Sequence, residues 1–272
     1  GYLHQAINIA DEFLSKDRLI VYTKGAHSKK RTFYSSSNGL FEKGKLIILV
    51  NSSTASASEI VSGAIQDNKR GIILGRRTFG KGLVQQPIML PDSSELRITT
   101  SRYYTPSGKC IQKPYGKNID YDNDIFERIE SGELTQNDSL NDNSIFKGGI
   151  IPDLYSPIDT LNYSEAINNT IYTGNWRDFC FDYFERNPVQ NFTNIKDFNA
   201  NFKVDLSLIK SYLEENGKNI DQFNNQELVD LEWSVKVELS SYYYSDQSRY
   251  ILNTYKDNDV KRAIKEIINQ SL

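Results

Sequence analysis

Histidine and cysteine are scarce in this chain, with two of each among 272 residues. Only His4 and His27 exist, and His27 sits in a cationic loop with no carboxylate beside it, so a serine–histidine–carboxylate triad fails on arithmetic. Cys110 and Cys180 lie in unrelated contexts without metal-site spacing and read as unreactive or buried thiols. Long apolar runs are missing too. The longest purely aliphatic stretch, Leu46 to Val50, falls far short of the roughly 20 residues that cross a bilayer, and no secretory signal pattern opens the chain. Neither sign of charge dominates: 32 Lys and Arg stand interspersed with 35 Asp and Glu for a net −3, which argues against a nucleic-acid partner.

What is there is a pattern of alternating elements. Ala6, Ile7, Ile9, Ala10, Phe13 and Leu14 recur at helical spacing, and a short strand follows around Leu19 to Tyr22. Beyond a polar loop from Lys24 to Lys30, the segments Lys45–Val50 and Gly71–Leu74 read as buried strands and Glu59–Asp67 as the helix between them. Leu83–Leu90 and Leu96–Tyr104 read as extended. Strands alternating with helices imply an α/β layered core. From Tyr115 to Ser144 the composition turns to Asp, Asn, Ser and Glu, which predicts a long exposed excursion. Past Pro157, helical patterns such as Leu206, Leu208, Ile209, Tyr212, Leu213 and Val260, Ala263, Ile264, Ile267 predict a mostly helical C-terminal subdomain. The expected division is 1–156 for the core, with 115–146 as its polar excursion, and 157–272 for the helical region.

Two short motifs carry candidate chemistry: Thr54-Ala-Ser-Ala-Ser-Glu59 and Phe79-Gly-Lys-Gly82, which set Ser56 25 positions before Lys81. A serine hydroxyl needs a neighbouring base, and lysine serves only where burial keeps it neutral. Ser56 falls at a strand-to-helix turn, where free backbone N–H groups can bind an oxyanion. The same Ser56-Ala-Ser-Glu59 is also a capping box, and on this feature alone capping is the leading reading. Phe79 and Leu83 are placed to desolvate Lys81, although a solvated loop lysine is the usual alternative. Asp67 lies three helical turns beyond Ser56, about 16 Å away, so it is no direct partner of the serine; packing or charge placement near the lysine suits it better. Gln85 is within reach of Lys81 only if the chain turns at Gly82.

Other motifs fit less well. Gly75-Arg-Arg-Thr-Phe-Gly-Lys81 lacks the final Ser or Thr of a phosphate-binding P-loop and precedes an extended segment rather than a helix. Asp120-Tyr-Asp-Asn-Asp124 has Ile125 where a calcium loop needs glycine and Ser131 where it needs glutamate. Tyr242, Tyr243 and Tyr244 read as partly core and partly rim.

The chain resembles the carboxy-terminal processing peptidases, the tail-specific serine proteases of peptidase family S41. The resemblance runs through Gly1-Tyr-Leu, Ile9-Ala-Asp-Glu-Phe-Leu14, Thr54–Glu59, Gln66-Asp67, Gly75–Gly82, Thr99-Thr-Ser-Arg-Tyr-Tyr-Thr-Pro-Ser-Gly108 and Gly148-Gly-Ile-Ile-Pro-Asp153. It implies a layered α/β peptidase core of ClpP/crotonase-like type, with Ser56 as nucleophile, Lys81 as general base and Gln85 holding the lysine. It further implies an oxyanion hole from the backbone of Ala57 and Gly1, support from Glu59, Asp67 and Thr78, and no metal or organic cofactor. Polypeptide substrates, an upstream PDZ domain in a longer parent protein, and a periplasmic or envelope location are implied as well. The family's glycine-rich loop ends at the position of Gly1, so the chain is expected to be truncated within it. A peptide-binding or scaffold module of the same fold is the alternative function.

Overall fold

The computed structural model describes residues 1–36, 39–115, 123–135, 148–158, 164–187 and 192–269. They group into two units, one of residues 1–159 and 262–272 and the other of residues 160–261.

In the first unit, strand β1 (Leu19–Lys24) follows helix α1 (Leu3–Asp11), which buries Ala6 and Ala10 one turn apart. Strand β2 (Arg31–Tyr34) pairs back onto β1. Strand β3 (Ile47–Val50), helix α2 (Ala57–Asp67) and strand β4 (Ile72–Gly75) then make a parallel β-α-β unit in which Ile47 pairs with Ile72 and Val50 with Gly75. Parallel neighbours cannot be joined by a tight turn, so α2 is the crossover their pairing requires. Gly75 ends β4 at φ +135°, and a Cβ there would lie 1.8 Å from the Val50 carbonyl oxygen, so only glycine fits. Strands β5 (Leu83–Met89) and β6 (Glu95–Tyr104) form an antiparallel hairpin that completes a sheet of order β2-β1-β6-β5. Strand β7 (Leu154–Tyr155) joins β4 in parallel to give the order β3-β4-β7.

Asp153 fixes that last strand. Its carboxylate accepts the Ile73 N–H at 2.7 Å and the Gln66 amide at 2.8 Å, tying β7 to β4 and to α2. The core gathers Leu14, Ile20, Ile65, Ile73 and Ile111 with Val50, Ile60 and Tyr103. Burial of each large aliphatic contributes about 1.5–3 kcal/mol. The α/β class expected from the alternation holds, and the predicted strands and crossover helix lie within about two residues of their observed bounds. β2 and β7 went unanticipated, because one is almost wholly exposed and the other has two residues, too few for a hydrophobic period.

The expectation of an exposed excursion from Tyr115 to Ser144 is corrected for its described part. Residues 123–135 carry helix α3 (Asp124–Glu130), with Arg128, Glu133 and Leu134 buried at 3%, 4% and 0% exposure. Polar composition was misleading because the charges satisfy one another. Glu133 accepts from Arg77 at 2.7 and 3.0 Å and from Arg128 at 2.9 Å. Residues 116–122 and 136–147, including most of the acidic run at Asp120, lie outside the described residues.

The second unit is helical throughout its described residues: α4 (Glu165–Ile171), α5 (Gly174–Arg186), α6 (Ile195–Asn201), α7 (Leu206–Glu215), a 3-10 turn (Ile220–Gln222), α8 (Asn225–Tyr243) and α9 (Asp246–Lys256). Its core joins Ile167, Trp176, Phe198, Ile209, Leu213, Leu231 and Val235. In α7 the expected pattern buries Ile209 and Leu213, one turn apart. Tyr242 and Tyr243 are half-buried against Phe184, while Tyr244 is 37% exposed, the mixed role expected of that run. The last helix, α10 (Asn258–Asn269), contains the division between the units, after Lys261.

Cys180 is fully buried in the second unit, and burial pushes its thiol up to about 12. A thiol reacts as its thiolate. Ellman's reagent at pH 8 should therefore leave Cys180 unmodified in the folded protein and modify it only after unfolding in guanidinium; rapid native labelling of Cys180 would contradict this packing.

Candidate active site

The turn between β3 and α2 is built by Asn51. Its side-chain oxygen accepts the N–H groups of Ser53 at 2.9 Å and Thr54 at 3.1 Å, while its own N–H donates to the Thr54 hydroxyl at 3.0 Å. The chain then enters α2 through Ser56, whose φ of 58° and ψ of −117° lie outside the regions L residues ordinarily occupy. Such a conformation costs on the order of 1–3 kcal/mol and persists only where its surroundings hold it.

Glu59 supplies the hold. The side chain is fully buried, and its two oxygens accept four hydrogen bonds. One oxygen takes the Ser56 N–H at 2.7 Å and the Lys81 N–H at 2.9 Å. The other takes the Gly80 N–H at 2.7 Å and the Thr78 hydroxyl at 2.5 Å. Thr78 is itself buried, and its hydroxyl accepts the Ile150 N–H at 2.7 Å. The reciprocal half of a capping box is therefore present, with Glu59 reaching back to the N-cap N–H. The same carboxylate also binds the loop carrying Lys81, which capping alone does not demand.

A cavity of 140 Å³ opens beside Ser56, lined by Gly1, Tyr2, Leu3, Ala57, Ile60, Leu83, Val84, Gln85 and Tyr103. Of the expected site residues it gathers Ser56, Ala57, Gly1 and Gln85. Ala57 is the first residue of α2, so its N–H has no acceptor within the helix. Gly1 lies so close that a Cβ on it would come within 2.7 Å of the Ala57 Cβ. Gln85 reaches the cavity from β5, where a bulge between Val84 and Gln85 shifts the register against β6.

Lys81 does not line this cavity, and its side chain is exposed. The expectation that Phe79 and Leu83 desolvate it is not met, because both rings and chains are engaged elsewhere. Phe79 carries the buried Lys113 ammonium 4.1 Å above its ring, and Leu83 faces the Ser56 cavity. The Lys81 backbone is pinned at both ends, its N–H on Glu59 and its carbonyl under the Tyr103 hydroxyl. Asp67, at the far end of α2, accepts the Ser107 N–H at 2.8 Å. It thus fastens the turn after β6, and its bond is to a backbone amide away from the lysine loop. Among the described residues no group of three or more His, Cys, Asp and Glu is placed to hold a metal, and no helix is long and apolar enough to cross a membrane.

Sequence reasoning assigned no role to Tyr103 or Gln112. Tyr103 lines the cavity and holds Lys81, and the Gln112 side chain accepts the Gly82 N–H at 2.8 Å. Tyr103 stood within the resemblance motif Thr99–Gly108; nothing local marks Gln112.

Fold and site together define an α/β core with a conformationally strained serine at the N-terminus of its crossover helix, beside a cavity that Ala57 and Gly1 also line. Residues 1–124 match the model of peptidase family S41. The chain is 46% identical over 113 residues to a carboxy-terminal-processing protease of Bartonella bacilliformis, a match covering 41% of this chain and 26% of that protein. It is 37% identical over 113 residues to a chloroplastic C-terminal processing peptidase of Tetradesmus obliquus, covering 42% and 24%. A probable CtpA-like serine protease of Staphylococcus haemolyticus is 29% identical over 210 residues, 75% of this chain and 39% of that one. Among solved structures, a photosystem II D1 C-terminal processing protease aligns with TM-score 0.43 and 29% identity over 58% of this chain and 32% of that chain. The chain thus spans about a quarter of the length of the first two relatives.

Replacing Glu59 by Gln puts an amide N–H₂ against backbone N–H donors. Hydrogen bonds to charged groups contribute about 1.5–3 kcal/mol each, so Glu59→Gln should cost about 3 kcal/mol in urea unfolding; a variant as stable as the parent would remove Glu59 from this role. Glu133 gives a pH test. Burial alone would raise its carboxyl, but hydrogen bonds and charge from Arg77 and Arg128 hold it below the usual range. A lowered folded value means the stabilisation is complete above the ordinary glutamate pKa of about 4.3 and is lost as pH falls through the folded value. The melting temperature should drop on acidification below about pH 4, and Glu133→Gln should melt lower at pH 7 while flattening that drop.

Proposed function

We propose that the chain is the catalytic part of a serine endopeptidase that cleaves unfolded or C-terminally exposed polypeptides through an acyl-enzyme. The observation that carries this reading is the Ser56 turn, whose backbone is strained, held by a buried carboxylate and open to a cavity. A serine that merely capped α2 would need no such conformation. The match of residues 1–124 to the model of peptidase family S41, and the names of the relatives, support peptidase chemistry.

In this reading the Ser56 hydroxyl attacks a peptide carbonyl while Lys81 takes its proton. The carbonyl oxygen, now negative, is met by the backbone N–H of Ala57 and of Gly1. Lys81 returns the proton to the leaving amine, the new N-terminus departs, and Lys81 then activates the water that releases the acyl group from Ser56. Gln85 orients the lysine; Glu59 and Thr78 hold the nucleophile turn and the lysine loop in one frame, and Asp67 supports the far end of α2. A lysine takes a proton only when neutral, which requires a dry setting. Lys81 is exposed here, so the mechanism requires that bound polypeptide cover it, in keeping with catalytic geometry that tightens only on substrate binding.

The whole protein's location and partners follow the same reading: outside the cytoplasm, at the periplasm or envelope, with an upstream PDZ domain presenting substrate and residues 1–156 as the catalytic domain. The exposed Lys81 also favours a second reading, a peptide-binding module that keeps the fold and performs no cleavage.

The deciding experiment is digestion of an unfolded protein by this chain beside Ser56→Ala and Lys81→Ala, with products read by mass spectrometry. Peptidase function predicts cleavage by the parent and a fall of at least 1000-fold in both variants, which should still melt within a few degrees of the parent. Binding of the polypeptide without cleavage by any of the three would favour the module reading, and equal cleavage by the parent and Ser56→Ala would sink the serine mechanism.

A further inference from the structure

Between Arg18 and Phe41 the sequence has no acidic residue, and five cations, Arg18, Lys24, Lys29, Lys30 and Arg31, fall in that interval with His27. The serine chemistry leaves this loop unused. In the fold it joins β1 to β2 and overhangs a groove of 550 Å³ lined by Leu3, Thr23, His27, Ser28, Lys29, Lys30, Arg31, Phe33, Val84, Gln86 and Ser101. That volume lies within the range of about 300–1,000 Å³ typical of ligand clefts. None of the lining residues is acidic, and among the described residues no carboxylate pairs with Lys29, Lys30 or Arg31.

Two further features bear on what the groove does. The loop is fastened to β6 rather than free: the Ser28 hydroxyl donates to the Thr100 carbonyl at 3.3 Å, and Gly25 packs so closely that a Cβ would lie 2.1 Å from the same oxygen. The Lys30 ammonium sits 4.1 Å above the Tyr22 ring. Most directly, Leu3 and Val84 line both this groove and the cavity beside Ser56, so the two share a wall.

We propose that the groove is a substrate subsite that takes acidic side chains of an extended polypeptide, on one side of the bond presented to Ser56. The proposal rests on the peptidase reading for its link to cleavage, while the binding it claims stands on the groove alone. An extended chain crossing the Ser56 cavity past Leu3 and Val84 enters a channel whose charged side chains are all cationic. Asp or Glu there neutralises charge that the protein leaves open, and Lys or Arg meets repulsion. Charge complementarity of this kind selects partners more than it tightens them.

The test uses twelve-residue peptides with one fixed cleavable centre, in which a single Asp replaces Asn at each position in turn. With the full chain in 50 mM NaCl, Asp should raise kcat/KM about fivefold at a few successive positions on one side of the cleaved bond and have no effect on the other side, an exposed charge pair being worth about 0.2–1 kcal/mol. Raising NaCl to 500 mM should bring the Asp-to-Asn ratio close to one, as should the combined change Lys29→Gln, Lys30→Gln, Arg31→Gln. A ratio near one throughout in the parent, or one that survives the triple change, overturns the proposal. Failure of the peptidase reading would look different: the all-Asn peptide would be cut equally by the parent and by Ser56→Ala, or by neither. In that event fluorescein-labelled Asp and Asn peptides are compared by anisotropy on Ser56→Ala. About fivefold tighter binding of the Asp peptide, lost in the triple variant, supports the groove, and equal binding overturns it.

Discussion

The Glu59 carboxylate is the constraint on which the site depends. A buried carboxylate carries roughly four lone-pair positions, and all are used here, one on Ser56 and three on Thr78, Gly80 and Lys81 of the following loop. Two of these donors, Ser56 and Lys81, are 25 residues apart in sequence and belong to separate loops. Because the same side chain holds both, the nucleophile turn and the lysine loop cannot move independently. The strain in Ser56 is maintained by the same bonds. A stretch of helix that would otherwise need only a modest cap thereby becomes the joint of the active-site frame.

A second buried polar group extends the frame outward. Arg77 immediately precedes Thr78; its guanidinium pairs with Glu133, and its carbonyl accepts from Arg128, which also pairs with Glu133. Buried ion pairs of this sort contribute little net stability but are costly to break, so they fix geometry more than they strengthen it. Glu59 and Glu133 therefore grip two sides of one loop, the loop that carries Lys81. Its backbone is held on both sides while the lysine side chain stays exposed, a combination that suits a group completed by bound polypeptide.

Much of this was legible in the sequence, and the rest was not for identifiable reasons. Hydrophobic period and chain punctuation located β3, α2 and β4, because each buries one face and so writes its spacing into the residues. Ser56 and Lys81 stood out by local motif, and Glu59 by its capping-box position. The exposure of Lys81 was not readable, since whether Phe79 shields Lys81 or Lys113 depends on which lysine reaches its ring after folding. The burial of Arg128, Glu133 and Leu134 was hidden for a related reason: charges are read as solvated unless their partners are known, and one partner of Glu133, Arg77, lies 56 residues earlier.

The sequence by itself determined the elements, their order, the α/β class of the core, the helical character of the C-terminal part and the presence of a serine at a strand-to-helix turn. These follow from local periodicity and local hydrogen-bonding chemistry, which need no knowledge of distant residues. Only the tertiary structure decided that one carboxylate binds both loops, that Gly1 packs on Ala57 beside Ser56, that Phe79 lies under Lys113, and that the groove beneath the cationic loop shares Leu3 and Val84 with the serine cavity. Each of these is a contact between residues far apart in sequence. Local periodicity holds no record of such contacts, because they come into existence only when the sheets and helices pack.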